Sequence, residues 1–580
     1  MHEILENTLF SLDDEIISEL ATLTGTVCRK DGVLGAVLDG EGGFAVVDGI
    51  LPIGCKEGDK VALIPREGGM RIAESFGSSG EVEPNVRALL RREGLDKPFD
   101  AEALMQGKQT AFTEIQGLMG TRTDLRVKTI ITLSETENSR NECGFSVETD
   151  KDGNYVLGIH TTDVAAFVGK GSPLESAARE RCKTADLPTR DIPMLPDSIT
   201  KGPCFLEVGK DALAVSYFLT IDDEGRVKNF DVCESIVKTA ANCLFSEFDA
   251  LFLEYEPSAI MPLRKAYASI LPTVANMFSL GAILQAARMQ RGGGDIDKAQ
   301  RHFVYSRHGG RPVGVLFRKD SDPKRLIREF FSVAGAQLAE YLQKKGVAAI
   351  YRVQPEPSDS ALARFRADCG AAGIDTSDFG NDELLTAVAE SIRGTRHEEL
   401  VLTSLRSVLP ATGFSTTPSK HFLYKTDMYI RFAFPLNRYA DYCIQYIVKA
   451  ILKAEAEGEA LTAEELIELK EFAEAGAAAA MGENRINNAE KFVEELTALD
   501  CLRRDRNKSY SGAVLSIEAG KARVLLDNGC VGIITEGNGV VIDAENGVMK
   551  ADGAEYRYGS AINLRFASAD LVNATLYLEF

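Results

Sequence analysis

The sequence predicts an α+β chain in which a large mixed core is flanked at each end by a small β-barrel. Two observations predict it. Residues 24–76 and the last 70 residues are short β-branched runs separated by Gly and Asp. The stretch between them begins with strands and turns helical after about residue 245, and strands followed by many helices suggest an α+β core.

Each element follows in order. Residues 1–20 form an N-terminal unit, with Ile4, Leu5, Leu9, Phe10, Ile16, Ile17 and Leu20 as the apolar positions of a short helix over 3–20. TGTVCRKDG, LGAVLDGEGG, FAVVDG and KVALIP read as four or five strands with tight turns, the size of a five-stranded oligonucleotide-binding (OB) type barrel over 21–78. Gly77 to Pro84 reads as a linker. Hairpins are expected at 144–160, turning at Asp152-Gly153, and at 213–232, turning at Asp222 to Gly225. Amphipathic helices are expected near 263–290, 325–345, 380–408, 438–456 and 484–501. Residues 507–580 return to β texture and predict a second small OB-type barrel.

Composition narrows the classes. The 580 residues carry 65 Lys+Arg against 86 Asp+Glu, a formal net charge of −21. With 45% hydrophobic and 26% charged residues, disordered and coiled-coil classes fit poorly. No apolar run approaches the roughly 20 residues that cross a bilayer, so no membrane partner is expected. The acidic start lacks the basic head and apolar stretch of a signal peptide. Eleven cysteines without a CxxC pair predict a reducing, cytoplasmic setting. The acidity argues against a basic nucleic-acid coat but leaves room for a local basic channel. Residues 451–500 hold 13 acidic and 4 basic residues, which reads as a solvated helix face.

The decisive stretch is RTDLRVKTIITLS at 122–134, followed by GFSVETDKDGNYVLGIHTTDVAAFVGKGSPLESAARERCKTADLPTRDIPMLPDSI. It resembles the catalytic (RNB) domain of the ribonuclease II/R family. Further likenesses follow in order: LLRREGL at 90–96, RMQRGGGDID at 288–297, LIREFFSVAGAQLAEYL at 326–342, YRVQPEP at 351–357 and HFLYKTDMYIRFAFPLNRYAD at 421–441. The likeness covers 85–505, and the flanking barrels look like the family's cold-shock and S1-type modules. It implies an RNB core, single-stranded RNA as partner, and 3′→5′ exonuclease chemistry that depends on Mg²⁺ held by clustered carboxylates.

The chain departs from that pattern where the chemistry lies. The family's four Asp positions, with the register set by TLS upstream and GFSVE downstream, are occupied here by Ser134, Arg140, Glu142 and Cys143. The cluster becomes formally neutral and should hold Mg²⁺ poorly, with Glu142 its only retained acid. The family's arginine beside the scissile phosphate becomes Asn437, while Arg438, Tyr439 and Asp441 are kept. An amide supplies no charge there. Asp163 and Glu490 also match the family pattern, the first reading equally as structural and the second as a solvated helix glutamate. Glu135 and Glu137, with Glu142, are the donors of a rebuilt metal site. His160 is a base by type or a core histidine.

RNA-contact candidates are Phe44, Arg122, Arg126, Lys128, Arg140, Arg438 and Tyr439, with Arg179, Arg181, Lys183 and Arg190 after the motif. Arg140 would grip an RNA phosphate in the lost metal's place, or pair with Glu142. Phe44 reads as a stacking residue or as core. The chain has no Trp, which leaves few stacking platforms. The leading expectation is a cytoplasmic single-stranded RNA-binding protein of RNB fold with lost or strongly reduced nuclease activity and no cofactor. Whether it is an enzyme stays open: the alternatives are an active exoribonuclease using Mg²⁺ or Mn²⁺ at a rebuilt site, and a protein-interaction scaffold.

Overall fold

Turn chemistry and β-branched alternation build the first domain. The computed structural model describes residues 23–40, 42–66, 68–111, 115–135, 141–252, 257–293, 299–306, 310–319, 321–395 and 397–580. The helix expected over 3–20 lies outside them. Five strands come first, β1 (Leu23–Lys30), β2 (Val33–Leu38), β3 (Phe44–Val46), β4 (Asp59–Arg66) and β5 (Gly69–Ser78), in the order β3-β2-β1-β4-β5. Asp31 and Gly32, both at positive φ, make the two-residue turn between β1 and β2. Alternate residues Val27, Ala36, Val61, Leu63 and Ile72 turn inward to a small core. A Val47–Met70 bridge joins the two edges of the sheet, so the expected barrel is present.

The expected linker at 77–84 is not one. β5 runs through Ser78, and a helix starts at Val82 with Pro84 in its first turn. A proline that looks like a breaker is favoured at a helix start, where its missing N–H costs nothing. This Val82–Arg92 helix buries Ala88 against the first barrel, and Val86, Leu89 and Leu90 in the cluster shared with the C-terminal barrel.

The core sheet uses β6 (Thr123–Asp124), β7 (Ile130–Ser134), β8 (Cys143–Thr149) and β9 (Tyr155–Thr162). A small hairpin, β10 (Ala185–Leu187) and β11 (Arg190–Ile192), stands apart, and β12 (Asp211–Ile221) and β13 (Val227–Leu244) complete the sheet. Both expected hairpins are found as β8–β9 and β12–β13, with Gly153 and Gly225 at positive φ in their turns. Pairing runs from β12 through β9, β8 and β7 to β13, and β13 pairs back to β12. Closing that ring needs β13 to outrun the expected hairpin, so that its end lies parallel to β7, with Leu244 opposite Ser134.

The helices Leu271–Gln290, Asp322–Lys344 and Tyr439–Glu457 cover this sheet and share its apolar core. The segment expected as one helix over 380–408 divides into Leu384–Ser391 and Glu398–Val408, with Gly394 at positive φ between them. The acidic stretch likewise contains Ala463–Met481 and Glu483–Arg504. Two short pairings were not anticipated: the hairpin β14 (Ala299–Tyr305) and β15 (Pro312–Lys319), and the pair β16 (Tyr351–Val353) and β17 (Gly413–Ser415). The HFVY and VGVLF runs carry the β-branched signal, which the surrounding helical texture masks.

At the C-terminus, β18 (Ser509–Glu518), β19 (Lys521–Leu526), β20 (Val531–Thr535), β24 (Ala561–Asp570) and β25 (Thr575–Glu579) close into a barrel. A three-stranded excursion of β21 (Val541–Asp543), β22 (Val548–Ala551) and β23 (Ala554–Tyr556) interrupts it. Among the described residues no single helix is long and apolar enough to cross a membrane. One pair bent by 106°, Ile260–Ala266 with Leu271–Gln290, meets the length and composition together, and its second helix lies in the core through Val274, Met277 and Leu280.

Candidate functional site

The motif positions converge where β7 ends and β8 begins. Arg140 and Glu137 lie outside the described residues. Ser134 is buried at the end of β7, and its hydroxyl donates to Asn242 Oδ1 on β13 at 3.2 Å. Glu142, just ahead of β8, is 2% exposed. Its Oε2 accepts the Leu436 N–H at 2.7 Å, and its Oε1 accepts the side-chain amide of Asn437. Loss of hydration pushes the Glu142 carboxyl up to about 8, against the pull of those two hydrogen bonds. Burial also pushes the neighbouring Cys143 thiol well up.

The segment facing Glu142 carries its own ion network. Asp441 is fully buried and accepts Arg431 Nε at 2.7 Å and the Phe434 N–H at 3.1 Å. Arg431 continues to Glu483 at 2.9 Å. Arg352 adds a second cation, held over the Phe414 ring at 4.5 Å and pushed down to about 10 by burial, with Arg431 and Arg438 adding to the effect. Arg438 lies 4.9 Å over Phe434 and makes no ion pair among the described residues. Its backbone bridges to Lys183, whose ammonium reaches Glu490 at 2.9 Å, while Glu490 also accepts the Asp186 N–H at 2.8 Å. Glu490 is thus tied to this neighbourhood and is not the solvated glutamate that was its alternative.

Several residues expected along the RNA path are occupied elsewhere. Arg122 is buried, with Nη2 at 2.6 Å from Asp163 and 3.0 Å from Glu234. Lys449 pairs with the same two acids, and Asp163 also accepts the Ala166 N–H at 3.0 Å, so Asp163 is structural. Tyr439 is fully buried and donates its hydroxyl to Glu175. It therefore cannot face RNA, because the first turn of its helix points inward. Arg126 pairs with Asp124 and Asp211, and Lys128 with Glu148 at 2.7 Å. Arg181 stacks on Phe99 at 3.8 Å, and Arg190 reaches Glu83 at 3.4 Å. Phe44 is half-buried on β3, its ring over Gly35 and outside the small barrel core. His160 is a core histidine: Ser146 and Ser216 hydroxyls flank it at 3.0 and 2.7 Å, and burial pushes it down to about 3.

An RNB domain description matches residues 122–454. The chain belongs to the RNB family. Ribonuclease R 1 of Lactococcus lactis is 24% identical to it over 520 residues, which is 88% of this chain and 62% of that protein. Ribonuclease R of Thermotoga maritima is 28% identical over 394 residues, 66% of this chain and 54% of that protein. The alignments therefore cover under two thirds of these relatives' length. Mycoplasma genitalium RNase R, solved with ribose-methylated single-stranded RNA, superposes with a TM-score of 0.82 at 19% identity, over 96% of this chain and 89% of that one. A yeast pseudonuclease superposes with a TM-score of 0.66 at 16% identity, over 91% and 67%. At such identities the likeness concerns the fold: an RNB core flanked by OB-type barrels.

The donor set of this RNB-family chain suits Mg²⁺ poorly. Mg²⁺ takes hard oxygen ligands in octahedral array. The described motif positions offer one carboxyl, already engaged at both oxygens, a serine and a thiol. Glu135 is drawn into an ion pair with Lys324. Among the described residues no three His, Cys, Asp or Glu side chains stand close enough to share a metal. Asn242, Arg431 and Lys449 escaped the sequence reading, since a polar residue on a strand, loop or helix shows nothing of the partner that tertiary contact brings.

Proposed function

We propose that this chain binds single-stranded RNA through its RNB core and has lost, or nearly lost, hydrolytic chemistry. The observation that carries the reading is Glu142. Its carboxyl, the one acid at the described motif positions, is committed to Leu436 and Asn437 and pushed up by burial. A carboxyl with both oxygens engaged, whose neighbouring carboxylate Asp441 is spent on Arg431, is a poor metal ligand, so the proposal includes no metal cofactor. Arg438, free of carboxylate partners among the described residues, remains to meet a phosphate. The relatives lend support: the RNase R fold neighbour was solved with single-stranded RNA, and the yeast neighbour is described as a pseudonuclease. All eleven cysteines are free thiols, which suits a cytoplasmic setting.

The test is incubation of the purified chain with 5′-labelled single-stranded RNA in Mg²⁺ and, separately, in Mn²⁺. A retarded band of unchanged RNA length is expected. Progressive shortening that EDTA abolishes would overturn the inactive reading, and neither shift nor shortening would leave a protein scaffold. Combining Ser134→Asp, Arg140→Asp, Glu142→Asp, Cys143→Asp and Asn437→Arg should switch on metal-dependent shortening.

A further inference from the structure

Two guanidinium groups near Glu142, those of Arg352 and Arg438, have no carboxylate partner among the described residues. Arg352 lies on β16, which is tied to the segment leading to Arg438. The Arg352 N–H donates to the Tyr429 carbonyl at 2.8 Å, and a Tyr351–Ile430 bridge runs beside it. The Arg352 guanidinium donates to the Thr412 hydroxyl and shares the Phe414 ring with Arg431, at 4.5 and 5.0 Å. Arg438 rests on Phe434 at 4.9 Å. Both arginines are half-buried.

The acids of this neighbourhood are already spent. Asp441 and Glu483 both hold Arg431, Glu490 holds Lys183, and Glu329 holds Arg288 through contacts of 2.7 to 3.0 Å. Glu142 has its oxygens on Leu436 and Asn437. Burial and Glu490 push Asp186 up, and the pull of Arg438 opposes this without an ion pair between them. Like charges held together in a partly desolvated place repel, and an incoming anion relieves that repulsion. The adjoining rings point the same way. His421 stacks on Tyr424 at 4.3 Å, and Tyr424 meets Tyr429 at 4.8 Å. Burial pushes the Tyr424 hydroxyl up while Arg328, Arg352 and Arg438 pull it down, so the phenol stands among these guanidinium groups. His421 Nδ1 is buried without a hydrogen-bond partner among the described residues. Orphaned polar atoms are uncommon in native structures, and a ligand oxygen would complete this one.

We propose that this site takes a terminal phosphate monoester at an end of a single RNA strand, with Arg352 and Arg438 as its two cationic partners. The proposal rests on RNA binding by this chain and names the end group that the core selects. The charge count decides it. A phosphodiester carries a single negative charge, whereas a terminal monoester carries about −1.5 to −2 at neutral pH. Two unmatched guanidinium groups fit the second, and their planar forks suit its free oxygens. A hydroxyl end leaves both unanswered.

The experiment is calorimetric titration of the full chain, at one salt concentration, with one RNA sequence carrying hydroxyl ends, a 3′-phosphate, a 2′,3′-cyclic phosphate or a 5′-phosphate. One monoester end should bind about tenfold more tightly than the hydroxyl-ended strand, and which end gains names the terminus. If it is the 3′ end, the singly charged cyclic phosphate should fall between the two. Arg352→Gln should remove most of the gain, and Arg352→Lys should restore part of it, since the charge returns without the fork. The series of ends on the wild type needs no variant, so the test holds if Arg352→Gln misfolds. Equal affinity for every end, or an equal gain at both ends, would overturn the proposal and leave RNA binding intact. A nucleoside monophosphate binding as tightly as the phosphorylated strand would overturn the assignment to a strand end. Absence of binding to any strand would overturn both readings.

Discussion

The side-chain amide of Asn437 donates to the carboxyl of Glu142 across 295 residues of chain, and the neighbouring Leu436 N–H takes the other oxygen. The contact fastens the start of β8 to the segment that leads into the Tyr439–Glu457 helix. Two positions where the family resemblance implies catalytic groups are here bonded to each other. The site reads as a clasp.

A clasp has a stability signature. Glu142→Ala leaves a buried N–H and a half-buried amide without an acceptor, which should cost about 1–3 kcal/mol. Glu142→Gln should cost much less, because the Asn437 amide can turn over and accept from the new NH₂. Urea unfolding of the two variants checks this, and equal losses would show that Glu142 does not work through its hydrogen bonds.

The same carboxyl sets a pH dependence. Its folded value of about 8 lies above the ordinary 4.5, so between these limits the unfolded chain gives up a proton that the folded chain keeps. The Glu142 contribution is therefore fully present below about 4.5 and is lost as pH rises through about 8. The stability of wild type relative to Glu142→Gln should fall from pH 5 to pH 8, at about 1.4 kcal/mol per unit at the steepest. Denaturant midpoints of both proteins at the two pH values supply the comparison.

His160 works in the opposite direction. It is held neutral down to about 3 against an ordinary 6.5, so the unfolded state binds the extra proton on acidification. Stability should fall as pH drops from 6.5 toward 3, and His160→Gln should flatten that limb. Parallel acid limbs in the two proteins would show that another group governs it.

Asp163 holds two cations, Arg122 and Lys449, in a buried network with Glu234. Asp163→Asn leaves those cations short of one charge and should cost about 3–5 kcal/mol. A thermal melt shifted by less than a degree would mean that the network relaxes around the loss.

Much of this architecture was legible because it rests on local signals. The Asp31-Gly32 turn, the Gly153 and Gly225 turns and the alternation of Val61 and Leu63 are short-range consequences of backbone sterics and strand periodicity. The hairpin β14–β15 was missed because a helical neighbourhood outweighed its β-branched runs, and residues 77–84 read wrongly as a linker because Pro84, in the first turn of the Val82–Arg92 helix, looks like a breaker.

By itself the sequence determined the RNB likeness and the two flanking barrels. It could not determine which side chains face one another. Tyr439 and Arg122 carry the residue types of RNA contacts, yet one donates to Glu175 in the core and the other neutralises Asp163. Glu142 looked like a leftover ligand until Leu436 and Asn437 were found on its two oxygens. The physical reason is common to all three. Desolvation and hydrogen-bond partnership are set by groups far away in the chain, and these decide whether a charge is available for chemistry or spent on holding the fold.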